Sequence, residues 1–196
     1  MSSKYQDKRA DFWREQFEAG LSYEEYLEKA GPHEAKWKEM AAALPAIDPL
    51  DSQRLSGHRR ILNVLVMASA WCGDCARQMP ILHQIAETIG PDCEMMLVDR
   101  ESSEELREEL RILGANRIPV VVFLSEDFYE IGRFGDRLLM GYRSKVDREL
   151  GEACDAGILP PSADELDTER DEWLDIFERM LLMLRLAPPL RERYGD

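Results

Sequence analysis

The chain has 196 residues, of which 44% are hydrophobic and 8% aromatic. That is enough apolar surface to exclude a disordered chain, and at roughly 100 to 200 residues per domain it suits one core with additions. Its 39 acidic against 25 basic residues give a formal charge of -14, which repels phosphate backbones and anionic lipid at long range and makes nucleic acid and membrane poor partners. The apolar stretches 61–70 and 180–184 fall far short of the roughly 20 residues of a spanning helix. The N-terminus is polar and reads as no signal peptide, so a cytoplasmic protein is expected.

The first fifty residues place Phe12, Trp13 and Phe17, then Tyr23, Tyr26 and Leu27, then Trp37, Met40, Ala41 and Leu44 at helical spacing. This predicts a helical N-terminal extension over 1–50, made of three short amphipathic helices. Ser22 with Glu25 matches a capping box for the second, and Gly31-Pro32 separates it from the third. Residues 44–57, with prolines, aspartates and serines but no periodicity, read as a linker. Residues 61–68 are an almost unbroken run of Ile, Leu and Val, as suits a central strand covered on both faces. A helix over 74–89 follows, with Met79, Leu82, Ile85 and Ile89 on one face and Gly90-Pro91 as its stop.

A second strand is expected over 93–98, and Ser102 with Glu105 caps a helix bearing Leu106, Leu110 and Leu113 before Gly114. Pro119 opens a third strand over 120–124, residues 129–134 read as an antiparallel edge strand, and 137–153 as a helix. The order predicts an α/β fold with a mixed central sheet and helices on both faces, in a domain over 58–155. After Pro160-Pro161, Ser162 with Glu165 repeats the capping pattern. Leu166, Trp173, Phe177, Met180 and Leu184 then mark a C-terminal amphipathic helix over 161–187. Its stretch 180–184 is apolar on every side, which predicts burial in the fold or in a second subunit, a possible homodimer.

Four cysteines, Cys72, Cys75, Cys93 and Cys154, are too sparse for a disulfide scaffold. Cys72 and Cys75 lie in Trp71-Cys72-Gly73-Asp74-Cys75, where the first strand runs into its helix. Two intervening residues let both sulfurs meet within one turn, and the helix N-terminus favours a thiolate on Cys72 through its free amides. Cys72 is then the exposed nucleophile, and Cys75 resolves the mixed disulfide by attacking the Cys72 sulfur. Zinc is the bland alternative, but it needs about four ligands and Cys93, Cys154, His33, His58 and His83 offer no second close pair. Cys93 and Cys154 read as packing residues and His83 as a surface or packed histidine.

At this point the sequence resembles the thioredoxin family. Pro80 stands five residues after Cys75, Arg117-Ile118-Pro119-Val120 follows Gly114, and Gly135 stands in the last strand. The Trp-Cys-Gly-Asp-Cys variant with its helical extension is similar to a bacterial thioredoxin-like subgroup. The resemblance, over about 58 to 155, implies a thioredoxin fold and a thiol-disulfide oxidoreductase that reduces protein disulfides. It implies a separate reductase as partner and no cofactor beyond the redox-active Cys72-Cys75 disulfide. It also implies a cis bond before Pro119, a substrate strand paired with the Ile118 backbone, and a groove walled by Trp71 beside Gly73 and Asp74. Two departures stand out. Val66 and Met95 occupy the places where thioredoxins bury an aspartate and its lysine partner, and Asp74 replaces the motif proline, setting a carboxylate beside the nucleophile. The competing reading is a thioredoxin-fold binding module or adaptor with little redox turnover.

Overall fold

The computed structural model describes residues 6–150 and 165–195, the side chain of Arg148 excepted. Cys154, the Ser162 capping pattern and the far end of the helix expected over 137–153 lie outside the described residues. The N-terminal helices form as the spacing predicts: α1 (Ala10–Glu18), α2 (Tyr23–Glu28) and α3 (Glu34–Ala43), the last entered through a short 3-10 turn, Gly31–His33. Trp13, Phe17, Tyr23, Tyr26 and Trp37 are all buried. At the start of α2 the Ser22 hydroxyl accepts the Glu25 amide at 3.3 Å, and the Glu25 carboxylate accepts the Ser22 amide at 3.0 Å. Two otherwise orphaned donors are thereby satisfied.

The expected linker is a correction, because it holds helix α4 (Pro49–Leu55). The Asp48 carboxylate accepts the Leu50 and Asp51 amides at 2.7 and 2.9 Å, Pro49 opens the first turn, and Leu55 is buried. A helix of 7 residues is too short to display a period, so its caps and one anchor define it.

Strand β1 (Leu62–Ala68) is buried along its whole length, followed by α5 (Gly73–Ile89), β2 (Cys93–Asp99), α6 (Glu104–Glu109), β3 (Val120–Leu124) and β4 (Glu130–Gly135). The sheet order is β2-β1-β3-β4, with β1 and β2 parallel and the other two pairings antiparallel. Helices cover both faces of this mixed sheet, in agreement with the expected fold class. Leu21 and Leu97 exchange backbone hydrogen bonds of 2.9 and 2.7 Å, so the turn between α1 and α2 closes the outer edge of β2. Gly20 permits this approach, since a Cβ there would lie 2.8 Å from the Met96 Cβ.

Four boundaries differ from expectation. Ser103, one residue later than Ser102, caps α6, its hydroxyl accepting the Leu106 amide at 3.2 Å. That helix stops at Leu110, and Leu113 is exposed with φ 52° instead of extending the apolar face. The last strand and helix shift by a residue or two, to Glu130–Gly135 and α7 (Leu139–Leu150).

Helix α8 (Glu165–Leu186) lays its stripe on the sheet, with Phe177 edge-on to Phe123 at 5.1 Å and Trp173 to Phe134 at 6.4 Å. Trp173, Phe177, Met180, Leu181 and Leu184 are buried by this chain's own core. Leu182 and Met183 are about two-fifths exposed, at 43% and 40%, so the 180–184 stretch is not buried on every side. A helix on a sheet hides only one face. A short helix α9 (Pro188–Tyr194), absent from the sequence reading, follows and buries Leu190.

Candidate active site

The dithiol stands where β1 ends and α5 begins. Cys72 is the residue before the first turn of α5, in extended conformation, and its sulfur accepts the Cys75 amide at 3.4 Å. Cys72 is 8% exposed and Cys75 0%, so both sulfurs are more enclosed than an exposed nucleophile implies. The Cys75 thiol donating to the Cys72 sulfur is the largest influence on Cys72. With the Cys75 and Asp74 amides it outweighs burial and the Asp74 charge, and holds the Cys72 pKa down at about 7. Burial, followed by the bond to Cys72 and the Cys72 charge, pushes Cys75 far above the ordinary thiol range, with the Ser69 amide on its sulfur opposing only weakly. The two shifts favour ionisation of the outer sulfur and retention of the proton on the inner one.

Opposite the dithiol, Ile118 and Pro119 are joined by a cis peptide bond. The Cys72 thiol reaches the Ile118 carbonyl at 3.9 Å, so the two motifs, 46 residues apart, are brought together. Gly135 packs directly beneath this loop, because a Cβ there would stand 2.7 Å from the Pro119 carbonyl oxygen. Pro80 lies buried inside α5, where it lacks the amide that would bond the Ala76 carbonyl. At Gly73 a Cβ would meet nothing within 4 Å, which leaves the backbone beside Cys72 open to an approaching chain.

Asp74 is not a free charge. Its carboxylate pairs with Arg137, whose guanidinium also donates to Asp136 at 2.8 Å. Asp136 is 4% exposed and further accepts from Arg117 at 3.2 Å and from the Tyr142 hydroxyl. Burial works against its ionisation, but Tyr142, the two arginines and its own amide prevail and leave its pKa below the ordinary carboxylate value. The buried Gln78 donates its amide to the Asp136 carbonyl at 3.2 Å. This network ties α5, the Pro119 loop and the approach to α7 into one frame around the dithiol. Residues 78, 117, 136, 137 and 142 have no shared local pattern, and no sequence signal marks them as a group.

Trp71 is 57% exposed, with the Arg100 guanidinium 5.3 Å from its ring centre, a position fit for a groove wall. The N-terminal helices reach the same loop from the other side. Trp37 donates its indole N–H to the Ala70 carbonyl at 3.0 Å, and the Tyr26 ring lies 5.5 Å from it. The Tyr26 hydroxyl donates to Asp99 Oδ2 at 3.1 Å. Tyr26 and Trp37 count in the sequence as aromatic core positions, and their place beside the dithiol appears only in three dimensions. His83 is packed, its ring stacked on Tyr23 at 4.2 Å with Glu24 at 3.1 Å. Cys93 is half-buried, and burial, aided by the Glu94 charge, lifts its thiol to about 12, as fits a packing residue.

A family model described as thioredoxin matches residues 20–138. None of the curated proteins matches the chain. Among solved structures, a protein of unknown function from Pseudomonas aeruginosa is 21% identical, with a TM-score of 0.55 over 93% of this chain and 96% of that one. An HIV epitope-scaffold is 19% identical, with a TM-score of 0.55 over 93% of this chain and 98% of its own. At these identities the likeness concerns the fold alone, and it takes in most of the terminal helices as well as the sheet.

Proposed function

Because this chain belongs to the thioredoxin family, we propose that it is a thiol-disulfide oxidoreductase that reduces protein disulfides through Cys72 and Cys75. One observation carries the proposal: the Cys72 sulfur, at the start of α5, accepts the Cys75 amide at 3.4 Å and faces the Ile118 carbonyl at 3.9 Å, an arrangement in which the Cys75 thiol and amide hold the Cys72 thiol below its ordinary value. In this reading the Cys72 thiolate attacks a substrate disulfide and the extended substrate lies along the Ile118 backbone, with Trp71, Gly73 and Asp74 beside it. Cys75 then closes the internal disulfide and releases the reduced substrate. A separate reductase restores the dithiol, and the disulfide itself is the only redox group required.

Insulin reduction with dithiothreitol as donor tests this. The protein should accelerate precipitation of the insulin chains, Cys72→Ser should abolish the effect, and Cys75→Ser should accumulate a mixed disulfide visible by mass spectrometry. A rate no faster than dithiothreitol alone would overturn the reading. It would favour instead an adaptor that presents the exposed Leu182, Met183 and Leu186 of α8 to a partner.

A further inference from the structure

The dithiol needs somewhere to send a proton. Resolution of a mixed disulfide requires the Cys75 thiolate, yet Cys75 is fully buried and held protonated. Val66 and Met95, on β1 and β2, are apolar and supply no acceptor. Side chains two residues apart on a strand share a face, and paired residues of parallel neighbours do likewise. The register pairs Val66 with Leu97 and Ala68 with Asp99. Asp99 therefore shares the face of Val66 and Met95, one same-face step beyond the level of Val66 and two beyond Met95, toward the end where β1 passes through Ser69 and Ala70 into Cys72.

Asp99 is held there. Its Oδ1 accepts the Glu101 amide at 2.9 Å and its Oδ2 the Tyr26 hydroxyl at 3.1 Å, while the Arg100 amide bonds the Ala68 carbonyl at 2.8 Å. Ser69, whose amide reaches the Cys75 sulfur, is fully buried, and its hydroxyl has no hydrogen-bond partner among the described residues. Of the Ser69 and Tyr26 hydroxyls and the Asp99 carboxylate, only Asp99 is a carboxylate base. Tyr26 is pushed upward first by burial, then by Asp99, then by Cys75 and Cys72. It therefore remains a donor throughout the neutral range and stands within electrostatic reach of both sulfurs. Two further charged groups among the described residues bear on this region: Asp74, which acts on both sulfurs, and Arg100, which is paired with Glu101.

We propose that Asp99 accepts the Cys75 proton during resolution of the mixed disulfide, with Tyr26 of the N-terminal extension as its positioning residue. The proposal rests on the redox reading above. In the step, Cys75 gives its proton to Asp99 and its sulfur bonds the Cys72 sulfur. The bond between Cys72 and the substrate breaks, and the substrate sulfur leaves with the electron pair. The dithiol is oxidised, the substrate disulfide is reduced, and the Asp99 proton then passes to the leaving thiolate or to solvent. The carboxylate absent at residue 66 is thus supplied from the adjacent strand, and the extension acquires a chemical as well as a packing role.

The test uses the chromogenic aryl disulfide dithiobis-nitrobenzoate in stopped flow, on full-length protein with Cys93 and Cys154 replaced by serine. Attack by Cys72 releases the first coloured thiolate, and resolution by Cys75 releases the second. Asp99→Asn keeps the shape and one oxygen, which can still accept the Glu101 amide, while its NH2 now faces the Tyr26 hydroxyl oxygen, and it removes the base. It should leave the first phase unchanged and slow the second by on the order of a hundredfold at neutral pH, the lower end of what a positioned base contributes. The deficit should close as rising pH lets hydroxide take the proton. Tyr26→Phe should slow the second phase alone, by less. An unchanged second phase in Asp99→Asn, or equal slowing of both phases, would overturn the proposal. An unchanged second phase in Tyr26→Phe would remove the role of Tyr26. A protein that shows both phases but does not reduce insulin would sink the reductase reading and leave the proton route standing.

Discussion

If the Cys75 thiol is the largest stabiliser of the Cys72 thiolate, deleting it must raise the Cys72 pKa even though the helix start is untouched. Cys75→Ala removes the sulfhydryl donor and keeps the Cys75 amide at 3.4 Å. A hydrogen bond to a charged group contributes about 1.5 to 3 kcal/mol, and a thiol is a weak donor. The low end, about 1.5 kcal/mol, is about one pKa unit, moving Cys72 from about 7 to roughly 8. At pH 7 the ionised fraction then falls from about one half to about one tenth. Each remaining thiolate becomes roughly threefold more nucleophilic, because reactivity rises with basicity at a slope of about 0.4 to 0.5. The net alkylation rate at neutral pH therefore drops only about twofold, whereas the midpoint moves by about a unit and the alkaline plateau rises about threefold. Iodoacetamide kinetics against pH, checked by thiolate ultraviolet absorbance, read all three quantities. A midpoint that stays put or falls would refute the reasoning and leave the backbone amides alone as the cause.

Asp74→Asn should move the same midpoint the other way, because the Asp74 charge opposes the Cys72 thiolate, though by less than about one unit since Arg137 already pairs with it. A lowered pKa stabilises the reduced form above the Cys72 midpoint and does nothing well below it, at roughly 30 mV per unit, so redox equilibration at acidic and alkaline pH supplies the check. Phe177→Ala, at a fully buried site against Phe123, should cost about 3 to 5 kcal/mol and lower the melting temperature by roughly 6 to 20 °C; calorimetry would show α8 to be undocked if the loss were negligible. Gly135→Ala should destabilise by about 1 to 3 kcal/mol through its clash with the Pro119 carbonyl and should also slow alkylation of Cys72, which denaturant titration and iodoacetamide kinetics together would reveal.

What the sequence determined by itself was whatever is encoded locally. The almost unbroken run 61–68, the Ser22-Glu25 capping box, the apolar stripe from Trp173 to Leu184 and the Cys72-Cys75 spacing at a strand-to-helix junction each express one period, one cap or one turn. Those elements stand where they were expected. α4 was missed because fewer than two full turns show no period, and α6 was overextended because Leu110 and Leu113 keep helical spacing beyond the residue where the backbone leaves the helix. Only the tertiary structure decided the rest. Sheet pairing sets Asp99 level with Ala68, the turn at Leu21 closes the β2 edge and so brings Tyr26 to Asp99, and the Pro119 loop meets a sulfur 46 residues away. The fold likewise separates two chemically identical thiols: burial raises Cys75, while the Cys75 thiol and the Cys75 and Asp74 amides lower Cys72 against its own burial. A pKa and a proton route depend on which charges, amides and apolar walls converge in space, and no spacing along the chain records that convergence.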